Sequence, residues 1–194
     1  KLEPDNIYLD MDEAWSHMLN IWLGLSENPE DDLNTAYQLT LRVLDGDQDF
    51  AYAVNLAARI ERDLGYFGSS CDRLGAIKKV SRDASNLDMA VDTASFCGAF
   101  EEAISFYERV IAQAPHYSGA NTKRAYAWSL VQKASSKSPN NFSAAKDFIK
   151  SQLAMKYESK RMHESFLVLL AYVEDKDGDK NSASEYMDEQ NGLK

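Results

Sequence analysis

The chain has 194 residues and 44% of them are hydrophobic, which is enough for one ordinary domain with a buried core or for a short array of repeats. Its 31 Asp and Glu against 21 Lys and Arg give a formal net charge of −10, which repels phosphates and argues against nucleic-acid binding by this segment. No apolar stretch reaches the roughly 20 residues that cross a bilayer, so we expect a soluble segment, and its start at Lys1 indicates an excised fragment or a processed chain.

Amphipathic helices are predicted along the whole chain. Nine glycines and four prolines punctuate the sequence sparingly, and the prolines fall between apolar stretches rather than inside them. The apolar spacing predicts about ten helices of similar length joined by short turns. They cover residues 11–26, 32–45, 50–64, 69–81, 85–97, 100–113, 118–136, 142–156, 160–176 and 180–190. This order predicts an all-α fold of helical hairpins.

Small residues recur at a fixed spacing. Ala36, Ser70 and Ala103 lie 34 and 33 positions apart, each early in the second helix of a predicted pair. Gly65 and Gly98, 33 apart, close the first helices of two pairs. A period of this length is the signature of stacked helical hairpins, each of which buries its apolar face against its neighbours.

Two helices approach closely only where small side chains meet. Gly24, Ala58 and Ala171 are predicted to be the small residues on the first helices of three pairs.

The segment from Phe100 to Pro115 carries the most complete repeat pattern. The small residue Ala103 is followed by an aromatic residue, Tyr107, four positions later, by Val110 three positions further, and by the closing proline. This order resembles the tetratricopeptide repeat (TPR) family. The resemblance implies a right-handed superhelix of about five antiparallel helix pairs in a single domain over 1–194. The pairs are 17–50, 51–83, 84–117, 118–157 and 164–194, with an insertion in the fourth at 137–141.

A narrower resemblance concerns architecture. Ala14-Trp15 opens the first helix, Asn28-Pro29-Glu30-Asp31-Asp32 precedes the next, and His116-Tyr117 leads into a long helix. This order is similar to the C-terminal helical repeats of bacterial class III adenylate cyclases and of membrane-anchored winged-helix transcription regulators. The resemblance implies a repeat module separated by a membrane span from an upstream output domain.

The motifs do not point to catalysis. The three histidines lie in different predicted pairs, without the three- or four-residue spacing that places two metal ligands on one helix face. The stretch 175–181 looks like a calcium loop, but Lys180 replaces its sixth-position glycine and Tyr186 its twelfth-position glutamate. Neither a serine elbow nor a phosphate-binding glycine loop occurs. We therefore expect no enzyme, no metal and no cofactor, and we interpret Trp15, Trp22 and Trp128 as packing residues.

The TPR resemblance also implies a binding surface. In that family the first helices of successive pairs line a concave groove that binds extended peptides. The Lys and Asn pattern by which chaperone-binding members hold a terminal carboxylate is not present at matching places. The groove positions here mix Tyr, Arg, Asn and Asp with apolar residues: Met18, Ile21, Tyr52, Asn55, Arg59, Arg62, Asp88, Asp92, Thr122, Tyr126, Ser129, Val168 and Tyr172.

The function that this pattern favours is recognition. We expect a non-enzymatic module that binds a protein or peptide, as the regulatory or sensory part of a larger bacterial signalling protein. The alternative is a free-standing scaffold or an envelope or secretion assembly adaptor, and an input domain for a small ligand would need an apolar pocket. We expect the periplasmic part of a membrane-anchored protein, with the cytoplasm as the alternative, and the sequence leaves the oligomeric state open.

Cys71 and Cys97 are the only cysteines, and the hairpin order brings the helix ends that carry them side by side. We weigh a disulfide against two reduced, buried thiols. A bridge closing 71–97 would contribute roughly 3–4 kcal/mol and would indicate an oxidising compartment. Intact mass after alkylation, with and without reductant, distinguishes the two states. Two alkylated thiols in unreduced protein from its native compartment would exclude the bridge.

Overall fold

The computed structural model describes residues 6–117, 119–136, 141–155 and 160–192. Within these ranges the chain forms eleven α-helices and no strand, so the all-α prediction is confirmed. Most of the predicted insertion at 137–141 lies outside the described residues. The helices are α1 (Ile7–Trp22), α2 (Pro29–Gly46), α3 (Ala51–Asp63), α4 (Phe67–Asp72), α5 (Leu74–Val80), α6 (Ala84–Phe96), α7 (Phe100–Gln113), α8 (Ala120–Ser135), α9 (Ser143–Leu153), α10 (Lys160–Asp177) and α11 (Lys180–Gln190).

The first helix differs from the prediction at both ends. Its N-cap is Asn6, whose side chain accepts a hydrogen bond from the backbone N–H of Tyr8, so the helix begins four residues earlier than predicted. It ends at Trp22, and Gly24 lies in the following turn at φ +69°. The prediction that Gly24 is a small residue on a helix face is therefore wrong, because this residue supplies the left-handed turn conformation.

The contacts divide the chain into two compact units, residues 1–93 and 94–194. Unit 1 contains α1 to α5 and most of α6, and unit 2 contains the rest of α6 and α7 to α11. The single domain and the exact pair bounds stay predictions.

The core of unit 1 forms where α3 lies against both helices of the first hairpin. The Trp15 and Tyr52 rings are 5.4 Å apart, and seven residues further along both helices the Arg59 guanidinium lies 4.0 Å above Trp22. α3 therefore runs parallel to α1. The core combines three buried residues from each helix: Met11, Ala14 and Met18 from α1, Ala36, Leu39 and Val43 from α2, and Ala53, Leu56 and Ile60 from α3.

Unit 2 repeats this arrangement with α10 against α8 and α9. Its core combines Ala127, Val131 and Ala134 from α8, Phe142, Ala145 and Ile149 from α9 and its N-terminal flank, and Phe166, Leu170 and Val173 from α10. In both units the third helix places its apolar face between the two helices before it. This is the packing expected when one hairpin cannot bury its own apolar surface.

A buried ion pair joins the helices of unit 1. Glu61 on α3 is 1% exposed, and Arg73 donates from Nε and Nη2 to its two carboxylate oxygens at 2.8 and 2.7 Å. Tyr37 on α2 donates from its hydroxyl to the same carboxylate at 2.8 Å. Burial, and then the hydrogen bond to Glu61, raises the pKa of Tyr37. The carboxylate therefore connects α2, α3 and the junction of α4 with α5.

The same ion pair lies where a second predicted helix differs from the structure. The single helix predicted over 69–81 is divided at Arg73 into α4 and α5. Arg73 is the residue between them, and its side chain is held by Glu61 on the neighbouring helix. The local apolar spacing contains no sign of a partner 12 positions away in sequence.

Glu61→Gln should destabilise unit 1 by about 3 kcal/mol, because the partly buried Arg73 loses its counter-ion. The matched control is Lys79→Ala, which breaks an ion pair with Asp49. In this pair the side chain of Lys79 is 67% exposed and that of Asp49 is 61% exposed. We expect the control to change the free energy of unfolding by about 0–1 kcal/mol. Urea unfolding followed by circular dichroism measures both, and an equal effect in the two variants would contradict the role given to Glu61.

Candidate functional site

Four of the predicted groove residues are buried. Asn55 donates from Nδ2 to Ser81 Oγ at 2.9 Å, and the Ser129 hydroxyl donates to the Ala125 carbonyl at 2.8 Å. These side chains therefore offer no surface to a partner, and we remove them from the groove. The exposed fractions are 0% for Met18, 0% for Asn55, 4% for Thr122 and 0% for Ser129.

The reason for this error is visible in unit 1. Met18 lies six positions before the turn glycine of its helix, and at this position the side chain packs in the core under α3. The TPR register predicts Met18 in the open groove, and this prediction is wrong. Ile21 packs against the same core and is only partly buried.

Four of the remaining predicted residues of unit 1, all except Ile21 and Asp88, meet with two tryptophans. We call Trp15, Trp22, Tyr52, Arg59, Arg62 and Asp92 the charged aromatic cluster. Trp15 and Trp22 pack edge to face with ring centroids 5.1 Å apart, and Trp15 also contacts Tyr52. The sequence interpretation treated both tryptophans as packing residues and missed their place at this surface. Their seven-residue spacing, which places both on one helix face, is the signal that could have found them.

Arg62 has its counter-ions within the cluster and beside it. Its Nη1 donates to Asp92 Oδ2 at 2.6 Å and its Nε donates to Asp63 Oδ1 at 3.3 Å. Burial alone would lower the pKa of Arg62, but the charge and hydrogen bond of Asp92 outweigh it, so the pKa is raised. The predicted opposition of Arg and Asp on neighbouring helices is thus partly an internal ion pair.

Arg59 is held differently. Its guanidinium lies 4.0 Å from the centre of the Trp22 ring, a cation–π geometry, and its buried Nε has no hydrogen-bond partner among the described residues. Burial lowers the pKa of Arg59, although the negative charges of Asp92, Asp63 and Asp88 act in the opposite direction. A buried donor without a partner is uncommon in folded proteins. Arg59 is therefore the cation of the cluster with hydrogen-bonding capacity left unused.

In unit 2 the predicted groove residues fall at two places. The Tyr126 ring stacks on Tyr107 with centroids 4.0 Å apart and contacts Phe148 edge to face at 4.8 Å. Burial raises the pKa of Tyr126. Val168 and Tyr172 are 44% and 37% exposed and line an open cavity of about 530 Å³ between α10 and α11.

The acidic turns serve as helix caps. Asp179, in the stretch that looks like a calcium loop, accepts hydrogen bonds from the backbone N–H and hydroxyl of Ser182 at the start of α11. Among the described residues no group of three or more His, Cys, Asp or Glu is placed to hold a metal ion. Their helices also include none with the length and apolar character of a membrane span.

Both cysteines are disulfide-bonded in the structure, and neither is free. Cys71 lies in α4 and Cys97 follows α6. The mass measurement described above determines whether the two cysteines are oxidised in the protein's own compartment.

The sequence matches no protein-family model and no curated protein. Solved structures do match. A crystal structure of MamA is 13% identical with a TM-score of 0.64, over 97% of this chain and 91% of that one. Residues 41 to the end of MamA from Desulfovibrio magneticus RS-1 are 10% identical with a TM-score of 0.66, over 100% of this chain and 97% of that one. At this identity the likeness concerns the fold, which is a TPR-like array of helical hairpins.

The carboxylate of Asp83 caps α6, the helix that carries Asp92. It accepts hydrogen bonds from the backbone N–H and side-chain amide of Asn86 at 3.0 and 2.7 Å. Burial raises the pKa of Asp83, but these bonds outweigh it and hold the pKa below the ordinary 3.8. The cap therefore stabilises the fold above the unfolded-state pKa, and this contribution is lost as the pH falls through the lower folded-state value.

Asp83→Ala should lower the thermal midpoint at pH 7 by the equivalent of about 0.5–2 kcal/mol. The difference in thermal midpoint between this variant and the parent should become smaller in acid, because the parent then loses the charged cap. The control is Asp12→Ala on the exposed side of α1. Thermal unfolding at neutral and acid pH measures the differences, and a constant difference for Asp83→Ala would contradict the charged cap.

Proposed function

We propose that the chain is a non-enzymatic protein-recognition module and that a segment of a partner protein binds over the charged aromatic cluster. The observation that carries this proposal is Arg59, a partly buried cation stacked on Trp22, whose Nε has no hydrogen-bond partner in the part of the chain that the structure describes. Arg, Trp and Tyr supply most of the binding energy at protein interfaces, and here all three residue types meet on neighbouring helices. Trp22 is 36% exposed, so the cluster is accessible from solvent.

The cluster favours a partner that accepts hydrogen bonds. Arg62 is neutralised by Asp92 and Asp63, and this pair holds α3 and α6 in place. No described residue accepts a hydrogen bond from Arg59 Nε, so a carbonyl or carboxylate of the partner would gain a charge-assisted hydrogen bond there. The flat face of Trp22 and the ring of Tyr52 would pack against the apolar part of the same segment.

We further propose that this module is the regulatory or sensory part of a larger bacterial signalling protein, with an upstream output domain. Periplasmic placement on a membrane-anchored protein is part of this proposal, and the paired cysteines support it because disulfides persist in oxidising compartments. The alternative is a free-standing scaffold or assembly adaptor. The full gene separates them, since a cyclase or winged-helix domain followed by a membrane span supports the first and a lipoprotein signal supports the second.

The test of the cluster uses Arg59→Met, which keeps the apolar stem over Trp22 but removes the charge and the donors. Partners captured by the parent protein are identified by mass spectrometry, and the peptide that binds is titrated against both proteins. We expect about tenfold weaker binding by the variant, because a central arginine at an interface costs more than about 1 kcal/mol when it is truncated.

The matched control is Arg42→Met on α2, whose side chain is 62% exposed. It removes the same charge at a distance from the cluster and should leave binding unchanged. A second variant exchanges the charges of Arg62 and Asp92, which keeps their ion pair. Unchanged affinity for Arg59→Met, with an unaltered helical circular dichroism spectrum, would remove the cluster from the proposal.

A further inference from the structure

The last hairpin of the chain, α10 with α11, carries an apolar groove on the face that is covered in the first hairpin. The open cavity there is lined by Val168, Ala171, Tyr172, Asp175, Lys180, Ala183, Ser184 and Met187. Its three large apolar residues are well exposed, at 44% for Val168, 37% for Tyr172 and 40% for Met187.

The first hairpin shows what covers this face. Counted back from the turn glycines Gly24 and Gly178, Val168 corresponds to Ala14 and Tyr172 to Met18. Both Ala14 and Met18 are 0% exposed, because they pack in the core that α3 completes. In the first hairpin the groove between the two paired helices is thus the surface on which a third helix packs.

The third helices that cover such grooves have similar patterns. In α3 the residues 12, 9 and 5 positions before Gly65 are Ala53, Leu56 and Ile60, which are 0% exposed and pack in the core with α1 and α2. In α10 the residues 12, 8 and 5 positions before Gly178 are large, apolar and at most 1% exposed: Phe166, Leu170 and Val173. A helix fits the groove when apolar residues stand at i, i+3 or i+4, and i+7 on one face.

The first helix of a second copy does not meet this requirement. At the positions that correspond to Phe166, Leu170 and Val173 of α10, α1 has Asp12, Ser16 and Leu19. Asp12 and Ser16 are exposed and polar, so burying them against Val168 and Tyr172 would cost desolvation without a partner. The pattern therefore favours a helix from another protein over head-to-tail association.

The charges indicate the direction of that helix. α3 runs parallel to α1, as the contacts of Trp15 with Tyr52 and of Trp22 with Arg59 show, so an occupant placed likewise runs parallel to α10. Its C-terminal end then lies near the turn at Gly178. Lys180 lines the cavity there, and Lys176 lies 5.5 Å from the Tyr172 ring.

These lysines complement the negative end of a helix dipole and an acidic residue in its last turn. Asp175 also lines this end of the groove and limits the excess of positive charge.

From these observations we propose that the α10–α11 groove is a second docking surface, and that it binds an amphipathic α-helix of a partner protein. The helix presents large apolar residues at i, i+4 and i+7 and an acidic residue in its last turn. This surface is separate in sequence from the charged aromatic cluster and does not depend on the function proposed for it.

The experiment titrates the full chain with an acetylated and amidated 18-residue peptide that carries Leu at i, i+4 and i+7 and Glu in its last turn. Binding is measured by the fluorescence anisotropy of a label on the peptide. We expect measurable binding at peptide concentrations below about 1 mM, and at least tenfold weaker binding to Tyr172→Ala and to Met187→Glu. Both variants change exposed side chains, and circular dichroism with a thermal midpoint verifies that they fold.

Two controls make the result specific. Tyr117→Ala removes a tyrosine of the same unit that is 51% exposed and lies outside the groove, and it should bind like the parent. A peptide of identical composition with the three leucines spread around the helix should not bind. Absence of binding below about 1 mM, or equal binding to parent and groove variants, would overturn the proposal. Sedimentation that shows a parent dimer, abolished by Met187→Glu, would identify a second copy as the occupant and would also overturn it.

Discussion

One constraint underlies the structure: a hairpin of two amphipathic helices cannot bury its whole apolar surface, and a further helix must cover what remains. Ala14 and Met18 are completely buried because α3 lies over them, and Phe166 and Val173 are buried because α10 lies over α8 and α9. Where a third helix lies over a hairpin, as in the first hairpin, this surface is core. Between α10 and α11 the described residues leave the same kind of surface open.

The three arginines of α3 and the α4–α5 junction show how charge is accommodated around this core. Arg73 makes two hydrogen bonds to the almost fully buried Glu61, and Arg62 pairs with the partly exposed Asp92. Arg59 lies on the Trp22 ring, and none of the described residues accepts a hydrogen bond from its Nε. Satisfied ion pairs of this kind fix the helices relative to one another, whereas an unsatisfied donor at an accessible surface is a cost that a ligand can remove.

The sequence contains enough information for most of the helices but not for the interactions between distant residues. Apolar period and turn glycines predict α7 over 100–113 and α11 over 180–190 with the bounds that the structure has. The division at Arg73 follows a carboxylate on another helix, which no local pattern includes. The start of α1 depends on a single capping side chain, Asn6, outside the apolar pattern.

The groove residues illustrate the same limit. A repeat register fixes the face of a helix on which a side chain lies, but the neighbouring hairpin decides whether that face meets solvent. Met18 and Tyr172 occupy the same position relative to their turn glycines, yet one is 0% and the other 37% exposed. Counting along a repeat therefore cannot separate a buried residue from an exposed one.

The two surfaces differ in the kind of partner structure they suit. The charged aromatic cluster presents a donor and flat rings, which suit a segment whose carbonyl or carboxylate groups are free, as in an extended chain. The α10–α11 groove is lined by Tyr172 and Met187, and it suits a helix, whose backbone groups are already paired. Each surface lies within one compact unit, the cluster in residues 1–93 and the groove in residues 94–194. Two partner segments of different secondary structure can then be distinguished by which set of variants weakens each.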